Sequence, residues 1–139
     1  MVLADDHQQM LAIVRQTLGE EFEVVGTAGD GKQAVDAVLT LNPDAVVMDI
    51  SMPVLNGLQA AKLLQAADIR AKIIFLTVYE SPDFVDAAFC AGASGYVNKK
   101  RLYTDLIPAI REAMSGRTFI SAPSSGKANP ARRRIVGEV

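Results

Sequence analysis

The sequence is poor in several things that would each point to a function. It has one cysteine, Cys90, and one histidine, His7, in 139 residues. A lone cysteine closes no intramolecular disulfide and builds no cysteine metal cluster. No apolar run approaches the ~20 residues of a membrane-spanning helix. Asp5 and Asp6 fall where an export signal wants cationic and apolar stretches, which excludes such a signal there and implies a soluble, cytoplasmic chain. No repeat occurs at solenoid periods. Excess positive charge is also missing from the body: residues 1–120 hold 10 basic and 15 acidic residues, a net −5. Binding to a phosphate backbone rests on Lys and Arg displacing counterions, so this body suits a site that gathers cations instead.

Apolar patterning is abundant. Half of the residues are hydrophobic, 22% are charged and the mean hydropathy is +0.19, which excludes a disordered chain. The length fits one domain, able to bury roughly two-thirds of the surface its unfolded chain exposes. Short apolar runs at Met1–Ala4, Phe22–Ala28, Ala45–Met48, Lys72–Thr77 and Gly95–Val97 read as strands. AVVM and KIIFLT are apolar on consecutive residues, as strands covered on both faces are. Helical spacing separates the strands: Leu11, Val14, Leu18; Ala34, Val35, Val38, Leu41; Leu58, Ala61, Leu64; Val85, Ala88, Phe89; Leu106, Ile110, Met114. With Asp105 as cap of the last helix, Pro108 falls in its tolerant first turn. Five strand–helix pairs predict a doubly wound α/β sandwich with right-handed crossovers. The domain is expected over residues 1–117. A linker-like, flexible tail is expected over 118–139, rich in Ser, Ala, Pro and Gly at 121–131 and with no output domain after it.

Ligands of an open parallel sheet bind at the carboxyl ends of its strands. The expected strands run into Asp5 and Asp6, into Asp49, into Thr77, and into Asn98, Lys99 and Lys100. Singly, each has a plain reading: Asp6 as a helix cap boxed by Gln9, Asp49 as a turn residue, Thr77 as a strand end, Lys99-Lys100 as a solvated corner. Together they crowd three carboxylates on one rim, which is destabilising unless a cation sits among them. Oxygen-only donors select a hard ion, and few protein ligands favour Mg²⁺ over caged Ca²⁺. Carboxylate, cation, ammonium and hydroxyl are the parts needed to transfer a phosphoryl group to a side chain.

A competing motif is Gly26-Thr-Ala-Gly-Asp-Gly31-Lys32, which spells GxxxxGK after a strand, with Val46–Asp49 mimicking a metal-binding strand. Gln33 stands where Ser or Thr would hold Mg²⁺, and Asp30 would put negative charge into the phosphate cradle. An ordinary Gly-rich turn is the better reading.

As a set, Asp5-Asp6, Asp49-Ile-Ser-Met-Pro53 with Gly57, Thr77, and Tyr96-Val-Asn-Lys99 resemble a response-regulator receiver domain over residues 2–116. The resemblance implies a flavodoxin-like (βα)5 sandwich whose five-stranded parallel sheet has the order 2-1-3-4-5. It implies that Asp49 accepts a phosphoryl group from a sensor histidine kinase, a phosphotransfer protein or a small acyl phosphate. Mg²⁺ would be held by Asp6, Asp49 and the main-chain carbonyl of Ser51, and by Asp5 through water. Thr77 and Lys99 would bind phosphoryl oxygens, and Tyr96 would turn inward as Thr77 moves. The chain would then be a phosphoacceptor switch rather than a turnover enzyme.

Details set this sequence apart from the commonest receivers. Val78 and Lys100 stand where a smaller residue, and Pro or an acid, are frequent. Asp-Asp-His7, LTVYE around Thr77 and GRTFIS after the last helix resemble receivers carrying a LuxR-type (NarL/FixJ-like) helix-turn-helix domain. DNA contact is therefore expected only through such a missing domain, a phosphorylation-dependent homodimer is compatible, and no membrane is involved. His7 reads as an exposed first-turn residue, Cys90 as a small buried one, and Arg132–Arg134 as solvated charge. A haloacid-dehalogenase-type phosphatase would need an Asp where Ser51 stands. A purely protein-binding degenerate copy would have no reason to keep Asp5, Asp6, Asp49, Thr77 and Lys99 together.

Overall fold

The computed structural model describes residues 1–122. Strands β1 (Val2–Ala4), β2 (Gly26–Ala28), β3 (Ala45–Met48), β4 (Lys72–Thr77), β5 (Gly95–Asn98) and β6 (Phe119–Ile120) alternate with helices α1 (Gln8–Leu18), α2 (Gly31–Leu41), α3 (Gly57–Ala66), α4 (Pro82–Cys90) and α5 (Leu102–Met114). All pairings are parallel, in the order β2-β1-β3-β4-β5-β6. The expected 2-1-3-4-5 order holds, with a short sixth strand added where the tail was expected. The remainder of that tail, including Arg132–Arg134, lies outside the described residues.

Strand parity divides the core. Val2, Ala4, Val46, Met48, Ile73 and Phe75 face one side of the sheet, packed against small residues of α2–α4 such as Ala34, Ala60 and Ala88. Leu3, Ala45, Val47, Ile74, Leu76 and Val97 face the other, against Val14 and Leu18 of α1 and Leu106 and Ile110 of α5. The middles of β3 and β4 are therefore apolar on consecutive residues, as AVVM and IIFL indicated, with Lys72 and Thr77 only at the ends of β4.

Several local expectations are corrected. β2 has three residues rather than seven: its neighbour β1 offers three partners, and Phe22 and Val24 pack on the core without a ladder. Neither Asp6 nor Asp105 caps a helix. The α1 cap is His7 and the α5 cap is Arg101, because a 3-10 turn over Lys99–Arg101 leads directly from β5 into α5. Pro108 consequently lies inside α5, where its missing N–H takes the i→i−4 bond from the carbonyl of Thr104. Cys90 is exposed: two residues after buried Ala88, it is carried about 200° round α4, away from the sheet. No helix among the described residues is long and apolar enough to cross a membrane.

Candidate functional site

Register brings the site residues to one rim. Ala4 pairs with Met48, so the next residues, Asp5 and Asp49, leave adjacent parallel strands at the same height. The Asp49 N–H donates to the carbonyl of Ala4 at 3.0 Å, extending the ladder by one residue. Thr77 pairs with Asn98, which delivers Lys99 to the same end of the sheet. β1 and β3 flank the point where strand order reverses, the position where open α/β sheets bind ligands.

Lys99 closes the site. Its Nζ donates to Asp5 Oδ2 at 2.8 Å and to Asp49 Oδ2 at 2.9 Å, spanning 94 and 50 residues of sequence. Both aspartates are 5% exposed, and the lysine side chain is 12% exposed. Burial pushes the Lys99 ammonium toward losing its proton. The hydrogen bonds and charges of Asp5 and Asp49 outweigh that and hold its pKa above the ordinary lysine value. The second oxygen of Asp49 is tied to the main chain, accepting from the Ile50 N–H at 2.7 Å and the Ser51 N–H at 3.4 Å. Gly57 fixes this loop, since a Cβ there would lie 2.1 Å from the Asp49 carbonyl oxygen, and its N–H donates to the carbonyl of Ile50 at 2.7 Å.

The other predicted residues surround this pair. Asp6 is exposed at the rim, and the fully buried Thr77 accepts a bond from the Tyr79 N–H at 3.3 Å. Tyr96 lies inward, 3% exposed, its hydroxyl donating to the Tyr79 carbonyl at 2.7 Å. Burial, with the charges of Asp49 and Glu80, raises its pKa far above the usual tyrosine value, so the hydroxyl remains a donor.

His7 is the residue that sequence reasoning undervalued. It is exposed, as expected, yet its Nδ1 lies 3.2 Å from Asp5 Oδ1 and 3.0 Å from Asp6 Oδ1. Among the described residues, Asp5, Asp6 and His7 form the group of metal-type donor atoms lying within 4.8 Å of one another, and Asp49 stands outside it. The signal was the adjacency Asp-Asp-His itself. The competing phosphate-cradle reading fails on geometry: Asp30 caps α2 by accepting from the Gln33 N–H at 2.8 Å, while Gln33 Oε1 accepts from the Gly29 N–H at 2.9 Å. The Gly29 and Gln33 N–H groups are spent on the loop's own side chains, and that of Gly31 on the Pro53 carbonyl. A cavity of about 350 Å³ lies at the opposite end of the sheet, lined by Met1, Val25, Leu41 and Met114, and contains none of the site residues.

The profile of the response regulator receiver domain matches residues 1–111. The chain belongs to this family. Curated relatives include the transcriptional regulatory protein DegU of Brevibacillus brevis, 34% identical over 140 residues (99% of this chain, 59% of the relative). PdtaR of Mycobacterium tuberculosis, also a transcriptional regulatory protein, is 39% identical over 116 residues (83% of this chain, 56% of the relative). The chain thus spans little more than half the length of these two relatives. Among solved structures, a LuxR-family two-component response regulator from Aurantimonas sp. SI85-9A1 is 29% identical with a TM-score of 0.82, covering 99% of this chain and 94% of that one. The isolated receiver domain of RcsB from Salmonella enterica serovar Typhimurium, solved with the phosphomimetic BeF₃⁻, is 28% identical with a TM-score of 0.78, covering 89% of this chain and 92% of that one. The receiver is a signalling module, and its relatives bear the names of transcriptional regulators.

Proposed function

We propose that this receiver is a phosphoacceptor switch charged on Asp49 by a sensor histidine kinase, a phosphotransfer protein or a small acyl phosphate. The observation that carries the reading is the shared ammonium: Lys99 binds one oxygen of Asp5 and one of Asp49 at 2.8 and 2.9 Å, next to buried Thr77. Asp49 Oδ2 is the nucleophile, being the oxygen free of main-chain bonds. It attacks phosphorus; the new P–O bond forms as the P–N bond of a phosphohistidine breaks, its imidazole taking up a proton from solvent, or as the P–O bond of an acyl phosphate breaks, its carboxylate leaving as the anion. Lys99 leaves its carboxylate partners to neutralise a phosphoryl oxygen, and the Thr77 hydroxyl donates to another.

The donor chemistry suits a hard divalent cation. Asp5, Asp6, Asp49 and the Ser51 carbonyl are all oxygen ligands, and crowded carboxylates call for neutralisation. Mg²⁺ bound there would neutralise charge on the transferring group. Asp6, Asp49 and the Ser51 carbonyl would hold the cation, with Asp5 reaching it through water, and Lys99 would supply the remaining positive charge. His7 covers Asp5 and Asp6 on the solvent side.

Binding of the phosphoryl group favours the arrangement with Thr77 drawn toward Asp49, and that difference in affinity shifts the population. Tyr96 transmits it through its bond to the Tyr79 carbonyl, two residues beyond Thr77. The output is transcriptional control through a DNA-binding domain of the kind found in LuxR-type regulators. Residues 1–117 are the receiver, and β6 extends its sheet. Asp49→Asn abolishes Mg²⁺-dependent labelling by acetyl phosphate or phosphoramidate. Labelling of that variant at the parental rate would refute the assignment.

A further inference from the structure

One polar cluster has no part in phosphoryl transfer. Asp105, on α5, is 7% exposed and accepts from Arg101 Nε at 3.0 Å, Thr104 Oγ1 at 3.0 Å and Ser121 Oγ at 2.7 Å. The same Ser121 hydroxyl accepts from the Asn98 N–H at 3.1 Å, and the Ser121 N–H donates to the Tyr96 carbonyl at 2.8 Å. Asn98 is 4% exposed, caps the turn after β5 by accepting from the Lys100 N–H at 2.9 Å, and donates through Nδ2 to Glu80 Oε1 at 2.5 Å. Asn98 therefore joins three places: the loop that follows Thr77, the turn that aims Lys99, and the point where the chain leaves the domain.

We propose that Asn98, Asp105 and Ser121 form a latch that fastens the exit segment when the Asp49 site is empty and releases it when the site is charged. The inference rests on the phosphoacceptor reading. Drawing Thr77 toward Asp49 pulls on Tyr79 through the Thr77 Oγ1 bond, and so displaces Glu80 from Asn98. Recruiting Lys99 acts on the adjoining residue in the chain. Strand β6 is the element that gives way at least cost. It has two residues, lies on the sheet edge, and is held by the Phe119 N–H to Ser94 and Ser121 N–H to Tyr96 bonds plus the Ser121 hydroxyl. Such an edge belongs to the low-stability end of a fold. Release would alter how a following domain is held.

The test uses the full chain with Mg²⁺, with and without beryllofluoride, read by amide hydrogen exchange and by beryllofluoride titration. Losing a hydrogen bond to a carboxylate, as Ser121 makes to Asp105, corresponds to roughly tenfold or more. In the parent, beryllofluoride is expected to accelerate exchange of the Asn98, Phe119 and Ser121 amides by about that factor. In Ser121→Ala these amides are already fast and show no further response. Linkage is reciprocal, so Ser121→Ala binds beryllofluoride tighter by the same factor, whereas mere loss of structure would weaken binding. Ser121→Thr, which restores the hydroxyl, returns both values to those of the parent. Beryllofluoride changing exchange at residues 77–80 but not at 117–122, or unaltered affinity in Ser121→Ala, overturns the latch and leaves the phosphoacceptor reading intact. No response anywhere in the parent overturns both.

Discussion

Removing the Lys99 ammonium tests the electrostatics of the site most directly. In Lys99→Met the side chain keeps its bulk and loses its charge, leaving Asp5 and Asp49, each 5% exposed, facing one another without the group that binds both. Removing one partner from a buried ion pair costs about 3–5 kcal/mol. The aspartates open onto the exposed Asp6 rim, so the low end, about 3 kcal/mol, is the expected loss. For a domain of about 120 residues that lowers Tm by roughly 12 °C. The assay is thermal unfolding followed by circular dichroism, in EDTA and then in excess MgCl₂. Mg²⁺ is expected to raise the variant's Tm more than the parent's, because in the variant the cation is the sole neutraliser of that pair. Lys99 has a raised pKa, so its contribution is fully present below the unfolded-state value of about 10.5 and disappears only as pH rises through the folded-state value. The gap between parent and variant is therefore expected to be constant from about pH 6 to 9. A variant melting within a few degrees of the parent in EDTA, or an equal Mg²⁺ shift in both proteins, would refute the reasoning.

Three further outcomes follow from single contacts. Gly57→Ala forces a Cβ to 2.1 Å from the Asp49 carbonyl oxygen, and is expected to cost more than about 2 kcal/mol in urea unfolding and to abolish beryllofluoride binding; parental stability would contradict the packing of this loop. Asp105→Asn loses about 1–2 kcal/mol at neutral pH. Burial works against the Asp105 charge, but bonds from Ser121, Arg101 and Thr104 lower its pKa below 3.8, so its stabilisation is present above that value and fades as pH falls through the folded-state one; a gap that persists unchanged at about pH 2 would exclude this account. On the phosphoacceptor proposal, Val78, 57% exposed and next to Thr77 in the chain, is expected to shield the acyl phosphate from water, so Val78→Ala should dephosphorylate several-fold faster, and equal rates measured by phosphate release would remove the idea.

What the sequence reveals depends on how many residues share a signal. AVVM and the IIFL within KIIFLT announced strands buried on both faces because consecutive apolar residues carry the same message, and the five helices followed from long 3.6-residue patterns. The rim was legible because strand ends mark it: Asp5, Asp49, Thr77 and Lys99 each stand at or just beyond the carboxyl end of a strand. Short or relational features stayed hidden. Two residues of β6 cannot display an alternation, and the length of β2 is set by a partner strand rather than by its own FEVVGTA run. Cys90 looks buried by residue type and is exposed by helix phase. Asp105 resembles a cap in a string, but the preceding turn moves the helix start to Leu102 and frees the carboxylate for Ser121. His7 counted as solvent-facing, and it is, yet solvent-facing here still means in contact with two carboxylates.

The split interior decides which helices a substitution reaches. Tyr96 and Phe75, whose rings lie 6.5 Å apart, belong to the alanine-rich layer beneath α2–α4, while the leucine- and isoleucine-rich layer under α1 and α5 contains no aromatic ring among its fully buried members. A substitution at Val46, Met48, Ile73 or Phe75 therefore disturbs α2–α4, while one at its immediate neighbour in the chain disturbs α1 and α5, so adjacent positions of one strand answer to different helices.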